Sequence, residues 1–307
     1  MKKKLAVQYL TKFPNKNNKE LARMLSEDHP KVYDNIEQAR WHVRNNRDKG
    51  ILPRILVFDI ETLPIVAYTW GVWNVNILPK QIIKDWCMLS WSAKWLLTDE
   101  VYGEILTQKE VKNRDDKRIS SGIWNMINQA DIVIAHNGDK FDIRKVKSRW
   151  LKHGLNPPSS YRSIDTLKVL KGFSPTYRKL DFINKELGLD VKLPMDWDDW
   201  RKCDEMDQEA LDKMMEYNKE DVKILEELYL IIRPWINSHP NLGLFQSGVK
   251  DVCATCGSEN IHVDGGYYYT AVGKYSTLRC ECGAISRSRF TALSKDQRKH
   301  LLSSTAR

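Results

Sequence analysis

The pattern of apolar and polar positions divides the chain into three stretches, and the middle one is the longest. Short β-prone apolar runs predict strands at 55–61, 86–95, 101–106 and 131–135. Apolar residues at helical spacing predict helices at 118–129, 141–152 and 210–232. Ser163–Leu167 suggests a further strand end, and Lys179–Leu187 a further helix. Leading strands followed by alternating strands and helices predict an α/β fold with a mixed sheet flanked by helices.

The beginning of the chain predicts two short helices. Lys19–Leu25 is amphipathic, with Asn17 or Asn18 as its N-cap, and the second helix covers 34–47. One face of that second helix carries Ile36, Ala39 and Val43, and the other carries Arg40, Arg44 and Arg47. A basic second helix favours a nucleic-acid reader of the helix-turn-helix kind, with Arg40 and Arg44 on the substrate. A small helical cap with a solvated charged face is the alternative.

The last stretch differs in composition, with cysteines, tyrosines and short alternating strands. We therefore predict a helical region at 1–53, a central domain at 54–245, a small cysteine-containing domain at 246–290 and a tail at 291–307. The tail is expected to be a short helix or disordered.

Charge separates the same regions. The net charge is +9, and residues 1–54 hold 13 basic against 6 acidic side chains, whereas residues 55–245 hold 27 against 29. Basic flanks around an acidic middle suit an enzyme held on a polyanion by its ends. Apolar runs fall short of the roughly 20 residues that span a bilayer, and the N-terminus lacks a signal-peptide pattern, so neither a membrane partner nor export is expected.

Candidate chemistry begins at the end of the first predicted strand, with Asp59 and Glu61. Because strand side chains alternate, both carboxylates point to one face, while Ile60 points to the other. Two neighbouring carboxylates repel each other, and hard oxygen ligands suit Mg²⁺ or Mn²⁺. The pair therefore predicts a divalent metal site.

Two further acids lie where they can join this pair. Asp142 follows the strand at 131–135 and opens a helix, a junction at which α/β proteins place ligands. Asp221 lies on the predicted helix at 210–232, four residues after Tyr217, so both face one way. Glu220, the rival acid, points about 100° off that face.

Asp59-x-Glu61, Asn137-x-x-x-Phe141-Asp142 and Tyr217-x-x-x-Asp221 resemble, in order and spacing, the three motifs of the DEDD 3′–5′ exonucleases. These are the DnaQ-like branch of the RNase H-like fold, here in the tyrosine variant. The resemblance covers roughly residues 54–232, and the helical head with a cysteine tail looks like a bacteriophage-encoded member. Asp165-Thr-Leu and Lys179-Leu-Asp181 are similar to secondary signatures of the family.

The resemblance implies a two-metal phosphodiester hydrolysis that releases 5′-mononucleotides from a 3′ end. Asp59, Glu61, Asp142 and Asp221 would hold two Mg²⁺ or Mn²⁺ about 4 Å apart. Tyr217 would orient or help to deprotonate the attacking water, with metal assistance because a phenol with the ordinary pKa of about 10 is a weak base. Single-stranded DNA 3′ ends are the expected substrate, in the cytoplasm of a prokaryotic or phage-infected cell. An RNA exonuclease, a structure-specific endonuclease and a non-catalytic binding regulator are the alternatives.

Several other side chains are candidates for the substrate or for structure. Asn137, Thr62 and Lys145 are assigned to substrate binding, with Arg149 as a further phosphate contact. Asp139 and His153 are expected to be solvated and His136 structural. Trp197 and Trp200 are expected to pack a lid segment rather than stack on bases.

The four clustered cysteines predict a zinc ribbon. Cys253-Ala-Thr-Cys256-Gly is a knuckle turn, and Cys280-Glu-Cys282-Gly follows 23 residues later, one residue shorter than the common second knuckle. His262 is therefore a possible substitute ligand, and a disulfide pair is the alternative. The zinc would be structural and would present Arg279, Arg287 and Arg289 to nucleic acid.

Overall fold

The computed structural model describes residues 2, 5, 6, 9, 18–47, 53–189, 194–246 and 251–302. The chain forms two compact units, one of residues 54–232 and one of residues 1–53 with 233–307. Within these described ranges, no helix is both long and apolar enough to cross a membrane.

Helices α1 (Asn18–Asp28) and α2 (Ile36–Arg47) form the predicted helical pair near the N-terminus. They pack through buried apolar side chains, namely Leu21, Ala22 and Leu25 of α1 with Ala39 and Val43 of α2. Ile36, expected on this packed face, is 43% exposed because it is the first residue of α2, at the end of the packed stripe. Arg40 is exposed and pairs with Glu37 at 3.4 Å. Arg44 lies on α2, but its side chain is outside the described residues.

Unit 54–232 is built on a five-stranded mixed sheet. The described part of this unit contains seven strands, five in the main sheet and two in a separate pair: β1 (Ile55–Leu63), β2 (Val66–Ala67), β3 (Ile82–Lys84), β4 (Cys87–Trp95), β5 (Val101–Ile105), β6 (Ile132–Ala135) and β7 (Arg162–Asp165). The main sheet has the order β5-β4-β1-β6-β7, and β2 and β3 pair separately as a hairpin. β4 is antiparallel to β1 and β5, whereas β6 is parallel to β1 and β7. The predicted mixed sheet is confirmed.

Among the described residues 54–189 and 194–232, seven helices connect and cover these strands. They are α3 (Gln108–Asn113), α4 (Lys117–Ile127), α5 (Asp142–Lys152), α6 (Thr166–Leu170), α7 (Leu180–Glu186), α8 (Trp197–Asp204) and α9 (Gln208–Ile232). The helices predicted at 118–129, 141–152, 179–187 and 210–232 are confirmed. α3, α6 and α8 were not predicted. α3 and α8 are short and begin with capping boxes, at Thr107 and Asp196, rather than with a long apolar stripe, and α6 is only five residues long and begins where a strand end was expected.

The alternation of β4 shows how the sheet is covered. Ser90 and Lys94 meet residues of α9, whereas Trp91 lies beside Glu104 and the backbone at Gly122 of α4. Helix α9 therefore covers one face of the sheet and α4 the other. Buried small serines on the α9 side let that helix approach β4 closely.

The cysteine ribbon, residues 251–287, is a three-stranded antiparallel sheet. Its strands are β8 (Ile261–Thr270), β9 (Gly273–Cys280) and β10 (Ile285–Arg287), in the order β10-β9-β8. The strands expected in this cysteine- and tyrosine-rich stretch are confirmed, and residues 261–270 form one continuous strand. The tail carries α10 (Lys295–His300), and residues 303–307 lie outside the described part of the chain.

Candidate active site and metal centres

Asp59 and Glu61 lie on the α9 face of the central strand. In the β1–β4 register Asp59 is opposite Ser92 and Glu61 is opposite Ser90, and cross-strand partners share a face. A bulge between Glu61 and Thr62 then ends the regular pairing. Both carboxylates are half-buried. The alternation that the sequence predicts for this pair therefore places it beneath α9.

Helix α9 supplies the third carboxylate. Asp221 is 2% exposed, and one carboxylate oxygen of each of Asp59, Glu61 and Asp221 lies within 4.8 Å of the other two. Glu220, the rival acid, instead pairs with Lys223 at 2.5 Å. The structure thus brings together residues that are about 160 positions apart in the chain.

Asp142 lies beside this group but is held differently. β1 pairs with β6 only from Ile55 to Val57, so the amide of Ile60 has no strand partner on that side. The Asp142 Oδ1 atom accepts a hydrogen bond from this amide at 3.1 Å, and Asp142 is 1% exposed. A buried backbone amide requires such a partner. Asp142 is therefore fixed between Asp59 and Glu61 along the strand, outside the three-carboxylate cluster.

Asn218 is a site residue that the sequence analysis did not single out. Its side chain is fully buried, and its Nδ2 donates to Asp59 Oδ2 at 2.7 Å while its Oδ1 accepts from Ser90 Oγ at 3.2 Å. The signal in the sequence is its spacing, since it precedes Asp221 by three residues and shares that helix face. Asn218 fixes the orientation of Asp59 without adding a charge to the cluster.

Tyr217 lies one turn before Asp221 on α9, as predicted. It is half-buried, and its ring packs edge-on against Trp200 of α8 with centroids 6.1 Å apart. Trp200 therefore packs, as expected, whereas Trp197 is 69% exposed.

Asn137 shapes the loop that leads to Asp142. Its backbone adopts a left-handed conformation, with φ of 66°, and its amide donates to Asp165 Oδ1 at 2.9 Å. Asp165 also caps α6 through the amides of Leu167 and Lys168. Of the roles open to Asn137, bracing the loop is the one this geometry supports. Thr62 is half-buried at the β1 bulge.

The predicted phosphate contacts on α5 have other neighbours. The Lys145 Nζ lies 3.7 Å from the centroid of the Trp86 ring, and burial lowers the pKa of Lys145. Arg149 is 3% exposed and pairs with Asp116, which also contacts His153 Nε2 at 2.6 Å. Arg149 is thus a buried structural cation, and His153 is not a solvated surface residue.

Two other polar residues near α5 are held by partners. Asp139 was expected to be solvated, but it accepts from Ser163 at 2.6 Å and pairs with Lys168 at 2.5 Å. Burial alone would raise the pKa of Asp139, but these contacts outweigh it and lower that pKa. His136 is structural, as predicted, because its two ring nitrogens contact Thr166 Oγ1 and the carbonyl of Arg178.

The carboxylate cluster fits a hard divalent cation. Oxygen ligands from three acids within 4.8 Å concentrate negative charge at the end of a core strand, where like charges repel unless a cation offsets them. Asp59, Glu61 and Asp221 are thus the residues that would hold the ion, with Asp142 adjacent.

The four ribbon cysteines form a second candidate metal centre. Their sulfurs lie within 4.8 Å of one another, with Cys253 Sγ 3.8 Å from Cys282 Sγ and Cys256 Sγ 3.5 Å from Cys280 Sγ. Zn–S bonds of about 2.3 Å in a tetrahedron require sulfurs about 3.8 Å apart. All four are free thiols, and His262 is not part of the group. The shorter Cys280-Glu-Cys282 turn therefore still contributes both of its cysteines to the group of four.

The other two cysteines are core residues. Cys87 and Cys203 are fully buried in unit 54–232, and burial raises the pKa of Cys87 to about 11 and that of Cys203 to about 12. Neither belongs to a metal-ligand group among the described residues.

Comparison with known proteins supports the fold. Residues 95–232 match the RNase H superfamily. This segment includes Asp142, Tyr217 and Asp221, but begins after Asp59 and Glu61. No curated protein matches the chain.

Among solved structures, the chain is similar to the family B DNA polymerase from the hyperthermophilic archaeon Pyrobaculum calidifontis. The sequence identity is 16% and the TM-score is 0.45, over 59% of this chain and 25% of the polymerase. The chain thus spans a quarter of the polymerase's length. The mixed sheet, its helical cover and the superfamily match together show an RNase H-like fold, and with the carboxylate cluster they support a nuclease.

Proposed function

We propose that the chain is a metal-dependent 3′–5′ exonuclease that hydrolyses DNA from single-stranded 3′ ends and releases 5′-mononucleotides. The observation that supports this most directly is the cluster of Asp59, Glu61 and Asp221, whose carboxylate oxygens lie within 4.8 Å at the end of the central strand. Asp142 and Tyr217 flank the cluster in the order and spacing of the DEDD exonucleases of the DnaQ-like branch.

Each site residue has a distinct task in this proposal. Asp59, Glu61, Asp142 and Asp221 would hold two Mg²⁺ or Mn²⁺, which would supply activation of water and charge neutralisation at the leaving oxygen. The Tyr217 hydroxyl orients the attacking water, and the edge-on Trp200 ring fixes the tyrosine. Asn218 holds Asp59 in the orientation its ligand oxygen needs.

We also propose that the four ribbon cysteines hold one structural Zn²⁺. The sulfur spacing of 3.5 and 3.8 Å supports this, because it matches a tetrahedral thiolate site. Arg279 pairs with Asp264 at 2.8 Å and Arg287 lies 4.4 Å from the Tyr275 ring centroid. Their guanidinium groups are thus oriented along the ribbon surface, where they would contact nucleic acid, together with Arg289. A bacteriophage origin and a cytoplasmic location belong to the same proposal.

The decisive experiment is digestion of 3′-labelled and 5′-labelled single-stranded DNA and RNA with Mg²⁺, Mn²⁺ or EDTA. The variant is Asp59→Asn, which keeps the shape of the side chain but removes its charge. We expect it to slow hydrolysis by about a thousandfold or more, because metal ions supply several kcal/mol of transition-state stabilisation. Asp99→Asn, in an exposed turn, is the matched control and should behave like the unaltered chain.

The products distinguish the alternatives. A metal-dependent ladder that shortens from the 3′ end of DNA supports the proposal, and the same ladder on RNA alone changes the substrate. Discrete internal cuts indicate an endonuclease on the same fold. Binding without cleavage in any metal indicates a non-catalytic regulator and contradicts the proposal.

A further inference from the structure

Unit 54–232 has an exposed aromatic surface a few residues after β1, the strand that carries Asp59 and Glu61. We define the aromatic loop as residues 68–78, which connect β2 to β3. Tyr68 is 77%, Trp73 87% and Trp70 fully exposed, and every residue from 68 to 80 is exposed. Contiguous exposed apolar groups of this size mark interaction sites, because leaving tryptophan rings in water forfeits their burial energy.

The base of the aromatic loop is fixed although its tip is exposed. The backbone of Tyr68 donates to the carbonyl of Gln81 at 3.0 Å, and the Gln81 side chain bonds the carbonyl of Tyr68 and the amide of Leu78. These contacts close the loop at a defined point. The two tryptophans are therefore presented by a closed loop rather than by a free chain end.

The Asp204 carboxylate links both ends of the β2–β3 hairpin to helix α8. Asp204, the last residue of α8, pairs with Lys84 of β3 at 3.1 Å and with Arg114. Arg114 in turn donates to the carbonyl of Pro64, on the arm that leaves β1. Helix α8 also carries Trp200, which packs on Tyr217. The hairpin and the proposed catalytic tyrosine thus share one supporting helix.

The charge of this segment suits a polyanion. Residues 64–84 contain Lys80 and Lys84 and not one aspartate or glutamate, in a chain with 40 acidic residues out of 307. The segment departs from the carboxyl end of β1, the edge of an α/β sheet at which ligands bind. Tyr68 follows Glu61 by seven positions, so the Cα atom at the start of the loop lies within about 25 Å of that of Glu61.

From these observations we infer that the aromatic loop is a stacking platform for the bases of a single strand whose 3′ end enters the carboxylate site. The inference rests on the proposed function and deepens it, since it names the surface that holds the single strand next to the carboxylate site. Exposed aromatic rings flanked by cations bind single strands with little sequence preference, because every base offers a π-face. A duplex, whose bases are stacked on each other, would not use this surface.

The test compares Trp70→Ala/Trp73→Ala with Trp235→Ala, a matched control because Trp235 is 66% exposed and lies outside unit 54–232. Binding of fluorescein-labelled oligothymidylate is measured by anisotropy in EDTA, with each variant also carrying Asp59→Asn so that no strand is cut. We expect the double variant to bind at least about tenfold more weakly, the loss of roughly one stacked base, and the control to bind unchanged.

A second substrate distinguishes failure of this inference from failure of the proposed function. The p-nitrophenyl ester of thymidine 5′-monophosphate has one base and reports on the metal site alone. We expect the double variant, without Asp59→Asn, to hydrolyse the ester like the unaltered chain but to show a raised KM for the oligonucleotide. If the unaltered chain hydrolyses neither substrate, the proposed function fails, while the anisotropy result still decides the role of the loop.

Unchanged oligothymidylate affinity in the double variant would overturn the inference and leave the loop as a surface for a protein partner. Trp70→Phe/Trp73→Phe guards against a folding defect, because phenylalanine keeps a ring that can stack. It should recover most of the affinity, and a loss equal to that of the alanine pair would also count against stacking.

Discussion

The two candidate metal centres of this protein are assembled in opposite ways. The ribbon cysteines lie within 29 positions of each other and come from two turns of one small sheet. The carboxylates come from a central strand and a distant helix, and the hydrogen bond that joins Asn218 to Asp59 spans 159 positions. The ribbon site therefore depends on local geometry and its ligand, whereas the carboxylate site depends on how α9 is held on the sheet.

Loss of zinc from the ribbon should give the largest effect of the substitutions considered. That effect should be confined to the ribbon. Structural zinc typically contributes on the order of 10 kcal/mol or more to the folding of such a domain. We expect Cys256→Ser to lose the zinc and to expose Lys274 and Arg279 to trypsin, while unit 54–232 resists digestion. Bound zinc is measured by elemental analysis alongside the proteolysis.

Cys203→Ala is the control for this experiment, because Cys203 is buried in unit 54–232 and far from the ribbon in sequence. It should retain one zinc per chain and an intact ribbon. Zinc at equal occupancy in both variants would contradict the four-cysteine assignment.

The carboxylate site depends on the packing of α9 against the sheet. Substitutions at Lys94 and Glu226 should weaken that packing. This ion pair joins β4 to α9, its two side chains are 10% and 11% exposed, and the Leu97 amide also donates to Glu226 at 2.6 Å. Removing one partner of a buried pair leaves an uncompensated charge and typically costs about 3–5 kcal/mol. We expect Lys94→Met to lower the free energy of unfolding by about that amount, measured by urea denaturation.

The double variant Lys94→Met/Glu226→Gln should recover part of that loss, because it leaves no buried charge. Arg23→Met is the control, since its pair with Glu27 is exposed and such pairs contribute at most about 1 kcal/mol. Equal losses in Lys94→Met and Arg23→Met would show that the buried pair does not hold α9 on the sheet.

The same contrast explains what the sequence could predict. The ribbon ligands follow from Cys-x-x-Cys and Cys-x-Cys spacing, and Asp59, Glu61 and Asp221 from their places on a strand and a helix. Asn218, Asp204 and the Arg149–Asp116 pair were missed, because their roles depend on partners that only the tertiary fold supplies. Short α8 was missed as well, since its capping box resembles a loop signal until the helix is packed.

Substitution of Asn218 should give the smallest of these effects on the carboxylate site. Its amide links Asp59 to Ser90, so it acts as a positioning residue through Asp59 rather than by touching substrate. Substituting a residue that hydrogen-bonds to a metal ligand typically changes metal affinity or activity by about 10–100-fold. We expect Asn218→Ala to raise the Mn²⁺ concentration needed for half-maximal hydrolysis by about tenfold, measured by titration with the p-nitrophenyl ester.

Two further substitutions separate positioning from packing. Asn218→Asp has nearly the same volume, but its carboxylate cannot donate to Asp59 and adds a like charge beside it, so it should be at least as defective as alanine. Ser90→Ala removes only the bond that orients the amide and should give a smaller shift in the same direction. If Asn218→Asp instead kept the Mn²⁺ dependence of the unaltered chain, Asn218 would serve packing alone, and the orientation of Asp59 would have to come from β1 itself.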